Sequence, residues 1–180
     1  MKKLCVFCGS AAGKSPKYLE MGKWLGEFLA KNNIGLVYGG ASIGLMGAIA
    51  DSAMAHGGYV VGVIPKSLVE YEVAHAGLSE LHVVDNMHQR KQLMYDHADA
   101  FLTLPGGMGT LDEMFEVLTW TQLKYHAKQS YIFNFDGFYD SLLDYLRSSH
   151  EQGFIKSEHL QYLREIKDIE ALEKIVLQGI

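Results

Sequence analysis

The sequence predicts an α/β protein: a Rossmann-like, doubly wound parallel sheet flanked by helices, formed as a single domain over residues 1–180. Three observations lead there. Short apolar runs alternate with amphipathic stretches along the whole chain, the pattern of strands that need helices on both faces. Glycine is abundant, 19 residues against 3 prolines, and clusters at the ends of the apolar runs, where a chain must turn tightly. A length of 180 residues suits one domain of roughly 100–200 residues.

Leu4–Phe7 reads as the first strand, ended by Gly9-Ser10. Ser15-Pro16 supplies an N-cap and a first-turn proline, and Tyr18, Met21, Leu25, Phe28 and Leu29 recur behind it at helical spacing. Gly35–Tyr38 is a second strand, stopped by Gly39-Gly40, and a helix of small residues follows to about His56. Tyr59–Ile64 is a third strand, ended by Pro65, and Lys66–Glu80 has no clean period and is expected as an irregular surface loop. Leu81–Val84 predicts a strand, Asn86–His97 a helix, Ala100–Leu104 a strand, Pro105–Gly109 a turn and Leu111–Leu123 a helix. Tyr131–Phe135 is a further strand and Phe138–Ser148 a helix; a short strand near Ile166 and a helix over Ile169–Leu177 close the chain.

Composition narrows the class of function. A net charge of −5, from 21 acids against 16 bases, argues against a nucleic-acid partner. No apolar run reaches the roughly 18 residues of a membrane span. The opening MKKLCVFCGS reads as a strand and not a signal peptide. Cys5 and Cys8 lie three apart on that strand, so they point to opposite faces. They are expected as two packed, reduced thiols of a cytoplasmic protein. The eight histidines show no HxxxH or HExxH spacing; His75, His82, His88 and His97 are no exception, so no metal site is expected.

In parallel sheets ligands bind beyond the carboxyl ends of the strands. Three turns should share that edge: Gly9-Ser10, Gly39-Gly40-Ala41-Ser42 and Pro105-Gly106-Gly107-Met108-Gly109-Thr110. One crevice lined by bare amides follows, with Ser10, Gly39 and Gly40 as candidate substrate contacts. PGGMGTLDE at 105–113 is the strongest motif. Its glycines allow close backbone approach, and the helix behind them offers unpaired amides to a phosphate. It lacks the GK[ST] ending of a Walker A loop and the spacing of the dinucleotide fingerprint. Thr110 and Glu113 also fit a purely structural capping box. Against that, Glu113 and Glu116 share one helix face with Trp120, away from a Leu111–Phe115–Leu118 stripe expected on the sheet. Val117, Trp120 and Leu123 on this second face suggest cover by a partner subunit.

On the helix opening at Met87, the apolar stripe is Met87, Met94 and Ala98. Arg90 falls about 60° to one side and Lys91 about 40° to the other, at ~100° per residue. Cations flanking an inward stripe can be snorkelling stems with wet heads. They can equally reach into the crevice, Arg90 with a bidentate fork and Lys91 as a point charge.

MHQRK at 87–91 followed by PGGMGTLDE resembles the Lonely-guy family, the cytokinin-activating phosphoribohydrolases once labelled lysine decarboxylases. The likeness extends through CVFCGS, YGGASIGLMG, TWTQL, NFDGFYDSLL and EQGFI, most of the chain. It implies hydrolysis of the N-glycosidic bond of an adenine-type nucleoside 5′-monophosphate, AMP or an N6-modified cytokinin nucleotide, to free base and ribose 5-phosphate. By resemblance Arg90 and Glu113 are the catalytic pair. The same likeness puts the 5′-phosphate on Gly106, Gly107, Met108, Gly109 and Thr110. Lys91, Glu72, Glu116 and Met87 would add substrate contacts, and a homodimer without cofactor is implied. Met108 stands where plant members commonly have tyrosine. A non-catalytic nucleotide or cofactor carrier of the same fold is the alternative. A true amino-acid decarboxylase would need a cofactor such as pyridoxal phosphate on a lysine, and Lys91 is the lysine of the motif region.

Overall fold

The computed structural model describes the backbone of residues 1–180 and the surroundings of every residue but Gly179. Seven strands form one all-parallel sheet: β1 (Lys3–Phe7), β2 (Gly35–Tyr38), β3 (Val60–Pro65), β4 (Glu80–Val84), β5 (Ala100–Thr103), β6 (Ser130–Phe133) and β7 (Leu163–Ile166). The helices are α1 (Pro16–Lys31), α2 (Gly44–Ala55), α3 (Met87–His97), α4 (Met108–Gln122), α5 (Asp140–Glu151), α6 (Ser157–Leu160) and α7 (Ile169–Gly179). The strand order is β4-β3-β2-β1-β5-β6-β7. The chain winds outward from β1 to β4, returns to β5 on the other side of β1 and winds outward again. The order therefore reverses between β1 and β5, the place where such sheets open a crevice.

β1 shows how the sequence builds both layers. Leu4 and Val6 join the core under α1, α2 and α7, while Cys5 and Phe7 join the core under α3, α4 and α5. The two-residue period of a strand dictates that split. It also separates the two thiols, both free and buried, with Cys8 just past the strand end in the first core. Central strands β2, β3, β5 and β6 are buried at every position, as continuous apolar runs covered on both faces should be.

Some expectations need correction. The strand from Tyr131 stops at Phe133, because Phe135–Gly137 forms a tight turn with Asp136 at φ 55°, and α5 starts only at Asp140. The four-residue α6 is too short to leave a periodic trace. On α4 the buried row is Thr110, Met114 and Val117, with Val117 only 5% exposed. Leu111, Phe115 and Leu118 pack against the same core as expected, partly buried, and Phe115 and Leu118 also line a groove with Leu146, Ile155, Leu160 and Leu163, where α5 and α6 cover that flank. Val117 therefore leaves the face assigned to a partner subunit, and the Trp120 ring already meets Tyr95 edge-on at 5.2 Å. Segment 66–80 is not a free surface loop. His75 N–H donates to the Gly40 carbonyl and Ser42 N–H to the Val73 carbonyl, each at 2.9 Å, pinning it across the end of β2. Among the described residues no helix is long and apolar enough to cross a membrane.

α1 and α2 pack closely because Gly26 has no side chain: a Cβ there would lie 2.3 Å from the Ile49 carbonyl oxygen and 2.8 Å from Ala53 N. Intrinsic propensity favours alanine over glycine in a helix by about 1 kcal/mol. Gly26→Ala is nevertheless expected to destabilise the protein by about 1–3 kcal/mol through overpacking against rigid backbone, measured as a lower urea midpoint with an unchanged m-value.

Candidate active site

The site forms where β1 and β5 end side by side. Leu104 N–H donates to the Phe7 carbonyl at 2.9 Å and Gly9 N–H to the Pro105 carbonyl at 3.2 Å, joining the two glycine turns. Gly106 is glycine by necessity, since a Cβ would sit 2.1 Å from the Thr110 hydroxyl and 2.9 Å from Gly9 N. The turn is held from below by the NFDGFYD segment. Asn134 Oδ1 accepts from Tyr139 N–H, and the Tyr139 hydroxyl donates to the Leu104 carbonyl, both at 2.7 Å.

α4 begins at Met108 with Gly107 as its N-cap and no side-chain cap. Thr110 is thus the third residue of the helix, not the cap, and the capping-box reading of Thr110 and Glu113 is overturned. The first-turn amides keep their unpaired N–H groups, and a Cβ at Gly107 or Gly109 would meet nothing within 4 Å. This turn opens into a polar cleft of about 190 Å³ that reaches Arg90, Glu113, Glu72, Ser10 and Met87. Next to it, sharing Gly9, Ser10 and Gly107, lies a largely apolar hollow of about 300 Å³ bounded by Tyr18, Leu45, Pro105 and Phe138. The ionisable chemistry belongs to the smaller cleft.

Arg90 is 4% exposed and tightly held. Nε donates to the Val63 carbonyl at 3.1 Å and Nη2 to the Gly39 carbonyl at 2.7 Å, while Glu72 Oε2 lies 3.3 Å from Nη2. Nη1 has the Met87 thioether at 3.9 Å. Gly39 makes this seat possible, because a Cβ would come within 2.2 Å of Nη2. Glu72 reaches the guanidinium from the 66–80 segment, where the next residue, Val73, takes φ 49°. A β-branched residue in the left-handed region is strained; the hydrogen bonds around it hold it there. Glu113 is partly buried on the cleft wall. Burial pushes its carboxyl up from an ordinary 4.5 to about 7, against the downward pull of Arg90, with Asp112 and Glu72 adding to the rise.

The fold thus gathers Arg90, Glu113, Glu72, Thr110, Gly107, Met108, Gly109, Ser10 and Met87 around one cleft. It places others outside. Gly39 and Gly40 lie beneath the guanidinium and under His75, and Gly106 borders the apolar hollow. Lys91 does not share the cleft with Arg90: its ammonium pairs with Asp112 at 3.1 Å and with Glu116, tying α3 to α4. Burial acts to lower the Lys91 pKa, yet the bonds to Glu116 and Asp112 outweigh it and raise the value. Cys8, Gly9 and Met46 line the cleft without having been marked as contacts. For Cys8 and Gly9 the signal was available, since they sit at the carboxyl end of the central strand.

A cleft at the switch point of a doubly wound parallel sheet, with the uncapped start of a helix, a buried guanidinium and a raised carboxyl on its walls, marks an α/β protein of the Rossmann-like class. The family model described as "Possible lysine decarboxylase" matches residues 46–176. A cytokinin riboside 5′-monophosphate phosphoribohydrolase of Rhodococcoides fascians is 46% identical over 94% of this chain and 86% of its own length. One from Arabidopsis thaliana is 49% identical over 86% of this chain and 71% of its own. This chain belongs to that phosphoribohydrolase family, the Lonely-guy family. Solved structures share the fold at low identity: a molybdenum cofactor binding protein from Rippkaea orientalis has a TM-score of 0.72 at 18% identity, covering 99% of this chain and 97% of that one. DNA processing protein A of Helicobacter pylori scores 0.60 at 16% identity, covering 98% and 80%.

The raised carboxyl has a consequence for stability. Between about pH 4.5 and 7 the folded protein keeps a proton on Glu113 that the unfolded chain has released. Stability contributed by this group therefore falls as pH rises through that window, and the cost is full above it. Glu113→Gln is expected to be more stable than the parent at pH 8, by about 1–3 kcal/mol, and to converge with it near pH 4 in urea denaturation. A lost helix cap would instead destabilise at every pH.

Proposed function

We propose that this protein hydrolyses the N-glycosidic bond of adenine-type nucleoside 5′-monophosphates, AMP or N6-modified cytokinin nucleotides, releasing the free base and ribose 5-phosphate. The observation that carries the reading is the pairing of Arg90 and Glu113 on the walls of one polar cleft floored by the uncapped start of α4. Relatives named for this reaction match across most of the chain.

In this reading the first-turn amides of α4 and the Thr110 hydroxyl take the phosphate, with the positive end of the helix dipole behind them. Arg90 spends Nε and Nη2 on Val63, Gly39 and Glu72, so Nη1 is the nitrogen left to orient the nucleotide. Cleavage passes through an oxocarbenium-like sugar. Water oxygen bonds to the anomeric carbon as the C–N bond breaks, its electron pair leaving with the purine. Glu113 accepts the water proton and the departing base takes up a proton in its place. A carboxyl near pH 7 is suited to exchange protons at neutral pH, and its charged form stabilises the cationic sugar. Lys91 and Glu116 act by holding α3 and α4 at a set spacing. A Schiff-base role for Lys91 is disfavoured by its two carboxylate partners, which keep it protonated.

A cytoplasmic location and a homodimer complete the proposal. The buried, unpaired thiols Cys5 and Cys8 fit a reducing compartment. Exposed Met108, Leu123 and Tyr125 at the two ends of α4 leave apolar surface for a second copy, and the net charge of −5 disfavours nucleic acid.

The test is chromatographic. Incubation with AMP and with N6-prenyl AMP should yield free base and ribose 5-phosphate, and Glu113→Gln should lower turnover roughly 10²–10³-fold without loss of folding. Tight binding of AMP with no base released would favour the carrier alternative. Light scattering should report twice the 20.1 kDa chain mass, and a monomer at micromolar concentration would remove the partner subunit from the proposal.

A further inference from the structure

At the opposite end of α3 from Arg90, where β4 begins, the fold assembles a cluster that no sequence spacing announces. We propose that Glu80, His82 and His97 form a binding site for a divalent transition metal, with Zn²⁺ the best match, that clasps the edge strand β4 to the end of α3. Glu80 and His82 are two apart on β4, so they stand on the same face of the strand. That face is covered by α3, whose last residue is His97. One potential ligand atom from each of the three lies within 4.8 Å of the others. His82 Nε2 and Glu80 Oε2 are 2.9 Å apart, and the two imidazole centroids 5.1 Å.

Two imidazoles and a carboxylate are the donors that Zn²⁺ and its borderline neighbours prefer. Zinc–ligand bonds of about 2.0–2.2 Å place tetrahedral ligand atoms about 3.3–3.5 Å apart. Small side-chain rotations reach that geometry from the observed separations. The surroundings already orient the first ligand: the Tyr59 hydroxyl donates to Glu80 Oε1, leaving Oε2 turned toward His82. An outer-shell bond of this kind positions metal-binding carboxylates. Glu80 and His82 side chains are each 35% exposed, which leaves a solvent side for a fourth, water ligand.

Charge nearby is mixed. Lys3, whose ammonium lies 5.4 Å from the Tyr59 ring centroid, opposes a cation, whereas Asp96 favours one. The site lies away from Arg90 and Glu113, so its role is to stiffen β4, an edge strand that exposes Leu81 and Val83, and the helix that carries Arg90.

Zn²⁺ titration of the full-length protein by calorimetry tests this directly. One equivalent should bind. At Zn²⁺ a hundredfold above Kd the melting temperature should rise by about 5–10 °C. Glu80→Gln, His82→Gln and His97→Gln should each weaken binding at least roughly tenfold, while His159→Gln leaves it unchanged. NMR of the unaltered protein adds a readout that no variant's folding can confound: Zn²⁺ should move the His82 and His97 ring signals together. Absence of binding, or binding that survives both His82→Gln and His97→Gln, overturns the proposal.

Discussion

The buried guanidinium of Arg90 is the constraint around which the cleft is organised. A charge at 4% exposure is tolerated only with close partners, and this one draws them from three elements. The ends of β2 and β3 supply carbonyls, and the 66–80 segment supplies the Glu72 carboxylate. Gly39 must lack a side chain for the guanidinium to fit, and Val73 accepts a left-handed backbone beside Glu72. The strain at Val73 and the bare backbone at Gly39 are local costs offset by pairing a cation that would otherwise be stranded.

Glu113 shows the complementary case. Among the described residues no side chain or carbonyl anchors it as Arg90 is anchored, and burial raises its pKa toward neutrality. The difference is that between a charge held by several partners and a carboxyl whose charged form burial disfavours. Both sit on one cleft because α3 and α4 leave the same face of the sheet on either side of the switch point between β1 and β5. The Lys91 contacts with Asp112 and Glu116 bridge those two helices outside the cleft. A charged motif in sequence thus divides into one cation for the site and one for the framework.

The same separation of duties runs through the glycine turns. Gly107 and Gly109 open onto empty space, while Gly39 and Gly106 are closed in by Arg90 and Thr110. Tyr139 and Asn134 support the Pro105–Gly106 turn from beneath, which is the structural part the NFDGFYD run plays in this chain. Rigidity below the turn and open amides above it are what a preorganised anion site requires.

The sequence by itself determined the order and type of nearly all the elements, because strand and helix periods are local properties of side chains two to four residues apart. It also marked Arg90, Glu113 and the 105–110 turn, since glycine clusters and adjacent cations on an inward stripe are visible without coordinates. Tertiary structure alone decided which faces those residues share. It moved Val117 into the core, took Lys91 out of the cleft, drew Glu72 down onto Arg90 and set His97 against Glu80 and His82. Each outcome depends on how separate elements meet across the sheet. Hydrogen bonds from a folded-over segment, and the covering of one helix flank by another, leave no period in the chain from which they could be read.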